Sequence, residues 1–341
     1  MYKKEKSQAL IISLWILAIL TILAISIGRQ VSMALYLSKY QKNRLKAISL
    51  AKAGINRAIV ELERDSTPNY DALNETWNTG GDSTGKSLFE NVEIEQGSGE
   101  TFTVTITDEE RKININGIEP LGQNLLKEIF NFADEFRGLR GIKDDAEGLK
   151  NAIVDYIDDD SEAMGGGSED EIFKNKQLKT PEELLVILEY FYKNKGVANF
   201  QEKAQEVFST IKDLITIYGQ GPVNINTVSE DVLTILANAV AGNPEQKNCV
   251  SALVDDLINV REERGKSNTD KIPFHSLEEI TSTLTDSNCV TLLGNLKTQI
   301  NPAFKSNNFR IESVGNVGNI TKNITAIYDR GTKKTVYWHE N

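Results

Sequence analysis

The chain has 341 residues, a formal charge of −11 and 40% hydrophobic residues, enough for two folded soluble domains and unlike a disordered segment. The acidic balance argues against a nucleic-acid partner. Two cysteines, Cys249 and Cys289, are too few for a disulfide scaffold; they form either one bridge, which an extracytoplasmic location permits, or two buried free thiols.

From Ala9 to Ile27 the sequence runs for 19 residues without a charge, roughly 28 Å of helix and close to the thickness of a bilayer core. Lys3, Lys4 and Lys6 precede it, and Arg29 and Lys39 follow. A basic leader holds the extreme N-terminus in the cytoplasm and sends the rest across. A secretory signal would have a shorter apolar core and a small-residue cleavage site after it. The segment therefore reads as an uncleaved single-pass anchor. Beyond Arg29 nothing breaks the helix, and the pattern becomes amphipathic. Ala47, Leu50, Ala51, Gly54, Ile55, Ala58, Ile59 and Leu62 form a stripe with one buried face. The spacing predicts one helix over about residues 9–63, lipid-embedded in its first half and packed on a soluble domain in its second.

Turn and loop chemistry follows at 65–69 and 78–85. Phe102, Val104 and Ile106 alternate with threonines as a half-buried strand. Asp108–Arg111 reads as a turn, and Ile113–Asn116 as a strand returning antiparallel. From Asn124 to Tyr218 the stripes are helical: Leu125–Phe130, Leu149–Ile157, Leu184–Leu188 and Val207–Ile215. Thr180 before Pro181, Glu182 and Glu183 is a helix-start signature. A second helical set lies around Val232–Leu236, Val250–Val260 and Leu277–Ile280. Alternation returns at Phe309–Ile311, Ile320–Tyr328 and Thr335–His339, the last two joined by a hairpin turn at 329–332.

Strands before residue 117 and after residue 307 thus bracket a helical block. Two isolated strand pairs would be marginal in water. Joined in one sheet under the long helix they make an α+β domain, with the helical block inserted in it. A short internal echo accompanies this: Ile113–Asn114–Ile115–Asn116 resembles Val223–Asn224–Ile225–Asn226, and both precede an apolar helix. The asparagines are natural helix caps, and a duplicated unit is the further expectation.

One constellation has ligand-like chemistry. Eight carboxylates fall between Asp155 and Glu171, interrupted by Gly165–Gly166–Gly167. If the glycines turn the chain back, Asp158 and Asp160 meet Glu169 or Asp170 around a hard cation. Calcium suits such oxygens best, whereas zinc would need sulfur or histidine. A solvated acidic loop is the alternative. Neither His275 nor His339 sits in a nucleophile, phosphate-loop or zinc motif, so no catalytic residue and no enzymatic activity are expected.

Together these segments resemble the type II secretion system protein K family of minor pseudopilins. The matching motifs are the leader Lys6–Ser7–Gln8–Ala9–Leu10, Lys112–Asn116, Val154–Asp160 with Glu169–Asp170, Thr180–Leu184, Pro222–Thr227 and Val336–Trp338, in the family's order. The resemblance implies a pilin-like α+β core, a long N-terminal helix on a small antiparallel sheet, with a large all-helical domain inserted. Its parts are a leader over 1–7, the helix over 8–63 spanning the membrane at 9–27, a core from 64–117 and 306–341, and an insertion over 118–305. It implies cleavage between Ser7 and Gln8 by a prepilin peptidase and methylation of the new terminus, although the family usually has glycine where Ser7 stands. Ile12 occupies the position where most pseudopilins carry glutamate; members of this family characteristically lack that glutamate, which the resemblance links to a place at the filament tip. Calcium in the acidic loop, two other minor pseudopilins as partners and an inner-membrane secretion platform are further implications. The implied location is the inner membrane, single pass, with the bulk in the periplasm. A minor pilin or adhesin of a type IV pilus, or a membrane-anchored periplasmic binding module, are the other readings of the same layout.

Overall fold

The computed structural model describes residues 3–65, 67–81, 87–117, 122–159, 162–164, 175–219, 221–266, 274–281 and 286–341. Helix α1 (Lys3–Glu63) is continuous over 61 residues, roughly 90 Å. Its sequence has no proline, and the large apolar side chains from Leu10 to Leu45 are exposed. It is long and apolar enough to cross a membrane by length and composition. From Ala47 onward one face turns inward, burying Ala47, Leu50, Ala51, Ile55, Ala58 and Leu62.

After α1 come the one-turn helix α2 (Thr76–Thr79), the short strand β1 (Val92–Glu93) and β2 (Thr101–Asp108). The middle of the chain holds β3 (Ile113–Asn114), α3 (Gly122–Phe136), α4 (Ala146–Ile157), α5 (Glu183–Asn194), α6 (Phe200–Ile211) and β4 (Ile215–Thr216). It continues through α7 (Glu230–Val240), α8 (Pro244–Asn248), α9 (Val250–Lys266), α10 (Glu278–Thr281) and α11 (Ser287–Asn295). Strands β5 (Asn308–Val317), β6 (Ile320–Asp329) and β7 (Lys334–Glu340) close the chain.

The antiparallel sheet has the order β1-β2-β5-β6-β7, so strands from both sides of the helical block share one ladder. Asp108 pairs with Phe309 and Thr101 with Asn316. Phe102, Val104, Ile106, Phe309, Ile311, Ile324, Ala326 and Tyr328 form a core with the inward face of α1. Each fully buried side chain of this size adds about 1.5–3 kcal/mol over its exposed state.

Helix and sheet approach closely because the contact is built from small residues. A Cβ placed on Gly315 of β5 would lie 2.0 Å from the Ala47 carbonyl oxygen and 2.8 Å from the Ala51 nitrogen. A Cβ on Gly54 of α1 would lie 2.2 Å from the Ser313 hydroxyl oxygen, 2.8 Å from Val104 and 3.0 Å from Phe102. Strand β5 consequently extends well beyond the Phe309–Ile311 expected from hydrophobic alternation, because its inward positions farther along are Ser313 and Gly315.

The central block has its own core, drawn from α3 to α11. Cys249 and Cys289 are joined by a disulfide, which settles the open choice in favour of the bridge. With a sequence separation of 40 it stabilises the fold by about 4 kcal/mol on the chain-entropy account, by restricting the unfolded chain. The segment Ile113–Asn116 does not return on β2 as an antiparallel strand. Its β3 pairs parallel with β4, inside the helical block. Alternation marks a strand but not its partner, and here the partner lies about a hundred residues away.

That pairing explains the internal echo. Ile113 and Ile115 N–H groups donate to the Leu214 and Thr216 carbonyls, both at 2.9 Å. In the second copy Ile225 N–H donates to the Ala303 carbonyl at 2.9 Å, and Ala303 N–H donates to Val223 at 2.8 Å. The Asn114 side chain accepts from Asn116 N–H at 2.9 Å, as Asn224 does from Asn226 at 3.0 Å. Asn116 then clamps the Leu178 backbone from both sides, 2.8 Å each way. Asn226 does the same to Phe274, at 2.9 and 3.1 Å. Leu178 leads into Thr180–Pro181–Glu182–Glu183, and Phe274 into Ser276–Leu277–Glu278–Glu279. The block is one construction used twice, and the asparagines staple backbone rather than cap helices.

The tight α1–β5 contact generates a stability prediction. Gly315→Ala should destabilise the full chain in detergent by roughly 1–3 kcal/mol, because helix backbone cannot yield as a side chain can. Gly294→Ala, with nothing within 4 Å of the new Cβ, should leave the melting temperature nearly unchanged. Equal melting of both variants would show that the helix does not sit this close to the sheet.

Candidate functional site

Asp108, Glu109 and Glu110 stand where the chain leaves the sheet for the central block, and all three are buried. The Asp108 Oδ1 accepts from Glu110 N–H at 2.8 Å and so caps the 3-10 turn that follows. Its Oδ2 accepts from Thr227 Oγ1 at 2.5 Å, Ser306 Oγ at 2.6 Å and Asn224 Nδ2 at 3.2 Å. Burial pushes this carboxyl up to about 7, against the opposing pull of the Ser306 and Thr227 hydroxyls. Burial alone would also raise Glu109, but Lys112 and Arg310 hold it below its ordinary value. Arg310 Nε lies 2.5 Å from Glu109 Oε1, and Thr216 Oγ1 donates to Oε2 at 2.6 Å. Glu110 is raised by burial; it accepts from Asn308 Nδ2 at 2.9 Å, and its carbonyl accepts from Asn224 N–H at 2.8 Å.

A second group completes the junction. Arg330, in the turn between β6 and β7, donates to Asp71 Oδ2 at 2.5 Å, the Ser306 carbonyl at 2.6 Å and Asp65 Oδ2 at 3.1 Å. Its guanidinium lies 5.1 Å from the centre of the Phe309 ring. Asp71 also accepts from Ser306 N–H at 2.7 Å, and its carbonyl accepts from Asn224 Nδ2 at 3.1 Å. Five separated pieces of chain meet here: the segment after α1, the end of β2, the segment before α7, the segment before β5 and the β6–β7 turn. The chemistry is positional. Buried charges and amides satisfy one another only while the central block sits in one pose on the sheet.

Of the proposed cation ligands, Asp158 lies just past α4, where its N–H donates to the Val154 carbonyl at 2.9 Å. Asp160, Glu169 and Asp170 lie outside the described residues. Asp155, which was not proposed, is fully buried, and both its oxygens accept from Met164 N–H at 3.1 Å. It ties the start of the acidic loop to a point past the first acidic cluster. Ser7 and Gln8 lie within α1, and Ile12 is exposed on it. Among the described residues the metal-ligand types Cys249, Asp286 and Cys289 also cluster. The two sulfurs are bonded to each other, and Asp286 caps α11 by accepting from Asn288 N–H at 2.7 Å.

No protein-family model and no curated protein matches this chain. Among solved structures it is similar to a chain of the GspK-GspI-GspJ complex from the type 2 secretion system of enterotoxigenic Escherichia coli. The TM-score is 0.58 at 16% identity, over 90% of this chain and 99% of that one. The two share a fold: a long N-terminal helix on a small antiparallel sheet, a pilin-like core, with a large helical domain.

The buried Asp108 gives the junction a pH dependence. Its carboxyl titrates near 7 when folded against 3.8 otherwise, so its stabilising effect is complete at low pH and is lost as pH rises through 7. Asp108→Asn cannot ionise. Its melting temperature relative to the parent chain should therefore improve as pH increases from about 4 to 7. A difference that stays constant over that range would show that Asp108 is not buried as a titrating acid.

Proposed function

We propose that this chain is a minor pseudopilin of a type II secretion system, acting without enzymatic chemistry at the tip of the pseudopilus. The observation that carries the reading is one architecture over nearly the whole chain: an exposed apolar helix fused to a small sheet, with a bulky helical domain locked on that sheet. The likeness over 90% of the chain to a member of a type 2 secretion complex supports it. The disulfide between Cys249 and Cys289 fits an oxidising, extracytoplasmic compartment.

The mechanism follows from shape. The apolar half of α1 holds the subunit in the inner membrane and joins a helical bundle as the filament leaves it. Ile12 offers no carboxylate to a neighbour's amino terminus, which suits a subunit with nothing stacked above. The central block, fixed by the Asp108 and Arg330 networks, adds bulk that obstructs further stacking. Two other minor pseudopilins would sit alongside and below, and assembly would begin from that complex on the inner-membrane platform. A prepilin peptidase would cut between Ser7 and Gln8.

Deleting the gene should leave exported proteins trapped in the periplasm, and intact mass should show the mature chain beginning at Gln8 with an added methyl group. Normal export in the deletion strain would refute the reading.

Calcium in the acidic loop is part of the proposal. The donor set is all oxygen, with Asp158 placed at the end of α4, Asp160 two residues on in the sequence, and Glu169 and Asp170 beyond the three glycines. Bound there, the ion would hold the loop closed. A cation that binds only the folded chain stabilises it by mass action. Calcium should raise the melting temperature more than magnesium does, and substituting Asp158 and Asp160 by Asn should reduce that shift. Calorimetry without a calcium signal would leave the loop a solvated acidic turn.

A further inference from the structure

The two edges of the five-stranded sheet are finished differently. At one edge β1 is only two residues long. The Glu93 side chain folds the following loop back on it, accepting from Gly97 and Gly99 N–H at 2.8 and 3.1 Å. So short a strand offers little for another chain to pair with. At the other edge β7 runs for seven residues without proline or glycine. Only Tyr337 in it is half-buried; Val336 is 51% and Trp338 42% exposed. Residues of these types favour a strand with neighbours on both sides.

The backbone of β7 shows what such a neighbour would find. Asn341 N–H donates to the Asn323 carbonyl at 2.9 Å. From there the register runs through Glu340–Ile324, His339–Thr325, Trp338–Ala326 and Tyr337–Ile327. Antiparallel pairs alternate between bonded and non-bonded. His339 and Tyr337 therefore turn their N–H and C=O toward β6, and Glu340 and Trp338 turn theirs outward. The ladder also skips Val336, at the irregularity beside Ile327 and Tyr328. Among the described residues no segment pairs with the outward groups. Helix α1 flanks the strand without covering it: Lys52 Nζ lies 2.8 Å from Glu340 and 6.0 Å from the centre of the Trp338 ring. On the opposite face the Tyr337 and His339 rings stack 6.5 Å apart, and Tyr218 lies 6.4 Å from Tyr337. An added strand would meet aromatic side chains on both faces.

A second copy of this chain does not fit the edge. The two-fold axis that joins two β7 edges antiparallel stands perpendicular to the sheet. Helix α1 lies along the sheet, with Ala47 at Gly315 and Glu63 at Tyr328, so this rotation reverses it. The apolar halves of the two helices would then point opposite ways, and one bilayer could not hold both. Pairing two β7 strands in parallel instead sets Lys333 and Lys334 beside their own copies, a like-charge clash.

We propose that the outer edge of β7 accepts an extended strand from a different protein, bonded through the backbone of Trp338 and Glu340 and packed on Trp338 and Tyr337. The partner's chemistry is that of a proline-free segment of alternating β-branched residues. Excluding a second copy rests on the reading of α1 as a membrane anchor given above; the edge itself does not.

The test uses the full chain in a non-ionic detergent and two fluorescent peptides of about nine residues, long enough to cover β7. Both alternate valine and threonine. One carries backbone N-methyl groups along one edge, which stops it pairing with itself and leaves its other edge intact; the second is methylated along both edges. Fluorescence anisotropy should show the first binding at least about tenfold tighter, since only it keeps backbone donors. Trp338→Pro removes an outward N–H while breaking no bond to β6, and Val336→Lys puts a charge on the edge. Each should weaken the first peptide at least about tenfold with the melting temperature held near that of the parent chain. Trp338→Phe should bind as the parent does. Equal binding of the two peptides, binding indifferent to both weakening substitutions, or no binding of the first at about 1 mM would overturn the proposal. So would homodimers cross-linked through β7. Peptide binding is read independently of export. Normal export in the deletion strain with peptide binding intact would reject the secretion reading and leave the edge standing, and blocked export without peptide binding would do the reverse.

Discussion

A carboxyl group buried between the sheet and the central block fixes the relation of every other part. Asp108 cannot be hydrated where it lies, so its oxygens depend on Thr227, Ser306 and Asn224. Leaving such a group unsatisfied costs more than an ordinary hydrogen bond contributes. Those partners come from the block and from the strand that leaves it. Sliding or tilting the block would strip the carboxyl of its donors. Arg330 repeats the logic on the adjoining side, where it links Asp71, Asp65 and Ser306. A domain attached to the sheet by only two chain crossings is thereby held as one body with it.

The sheet is in turn held to α1 by an absence of side chains. Gly315, Gly54, Ala47 and Ala51 bring the backbones of helix and strand nearly into contact. Burying only this narrow face leaves the flanks of α1 open over its whole length. One face of α1 belongs to its own core, and the opposite face carries no part of it.

What the sequence revealed depended on how local the cause was. The long apolar helix, the α1 stripe, β2 and the β6–β7 hairpin rest on periodicity within a few turns or strands, and the structure contains them. Asp108–Arg111 read as a turn because consecutive charges ordinarily face water. Its burial depends on Asn224, Thr227, Ser306 and Arg310, each more than a hundred residues distant. The second half of β5 was hidden for the opposite reason: the helix above leaves no room for the hydrophobic residues that would have announced it. The repeated asparagines were visible as an echo, but their bonds to Leu178 and Phe274 needed tertiary structure. Asp155 lay in plain view among eight carboxylates, with nothing local to separate it from its solvated neighbours.

The ladder between β2 and β5 also has a kinetic side. Asp108 and Phe309 are paired although the whole central block lies between them in the chain. Closing so long a loop from an unstructured chain is entropically unfavourable and slow. The block, by contrast, is tied by contacts of its own, two asparagine staples and a disulfide among them. If it condenses first, its ends emerge side by side and the ladder needs only a short search. Because the N-terminal strand emerges before the block during synthesis, β2 must wait for the last strands of the chain. Until they arrive its edge is unpaired, and this interval is when the subunit is most exposed to aggregation.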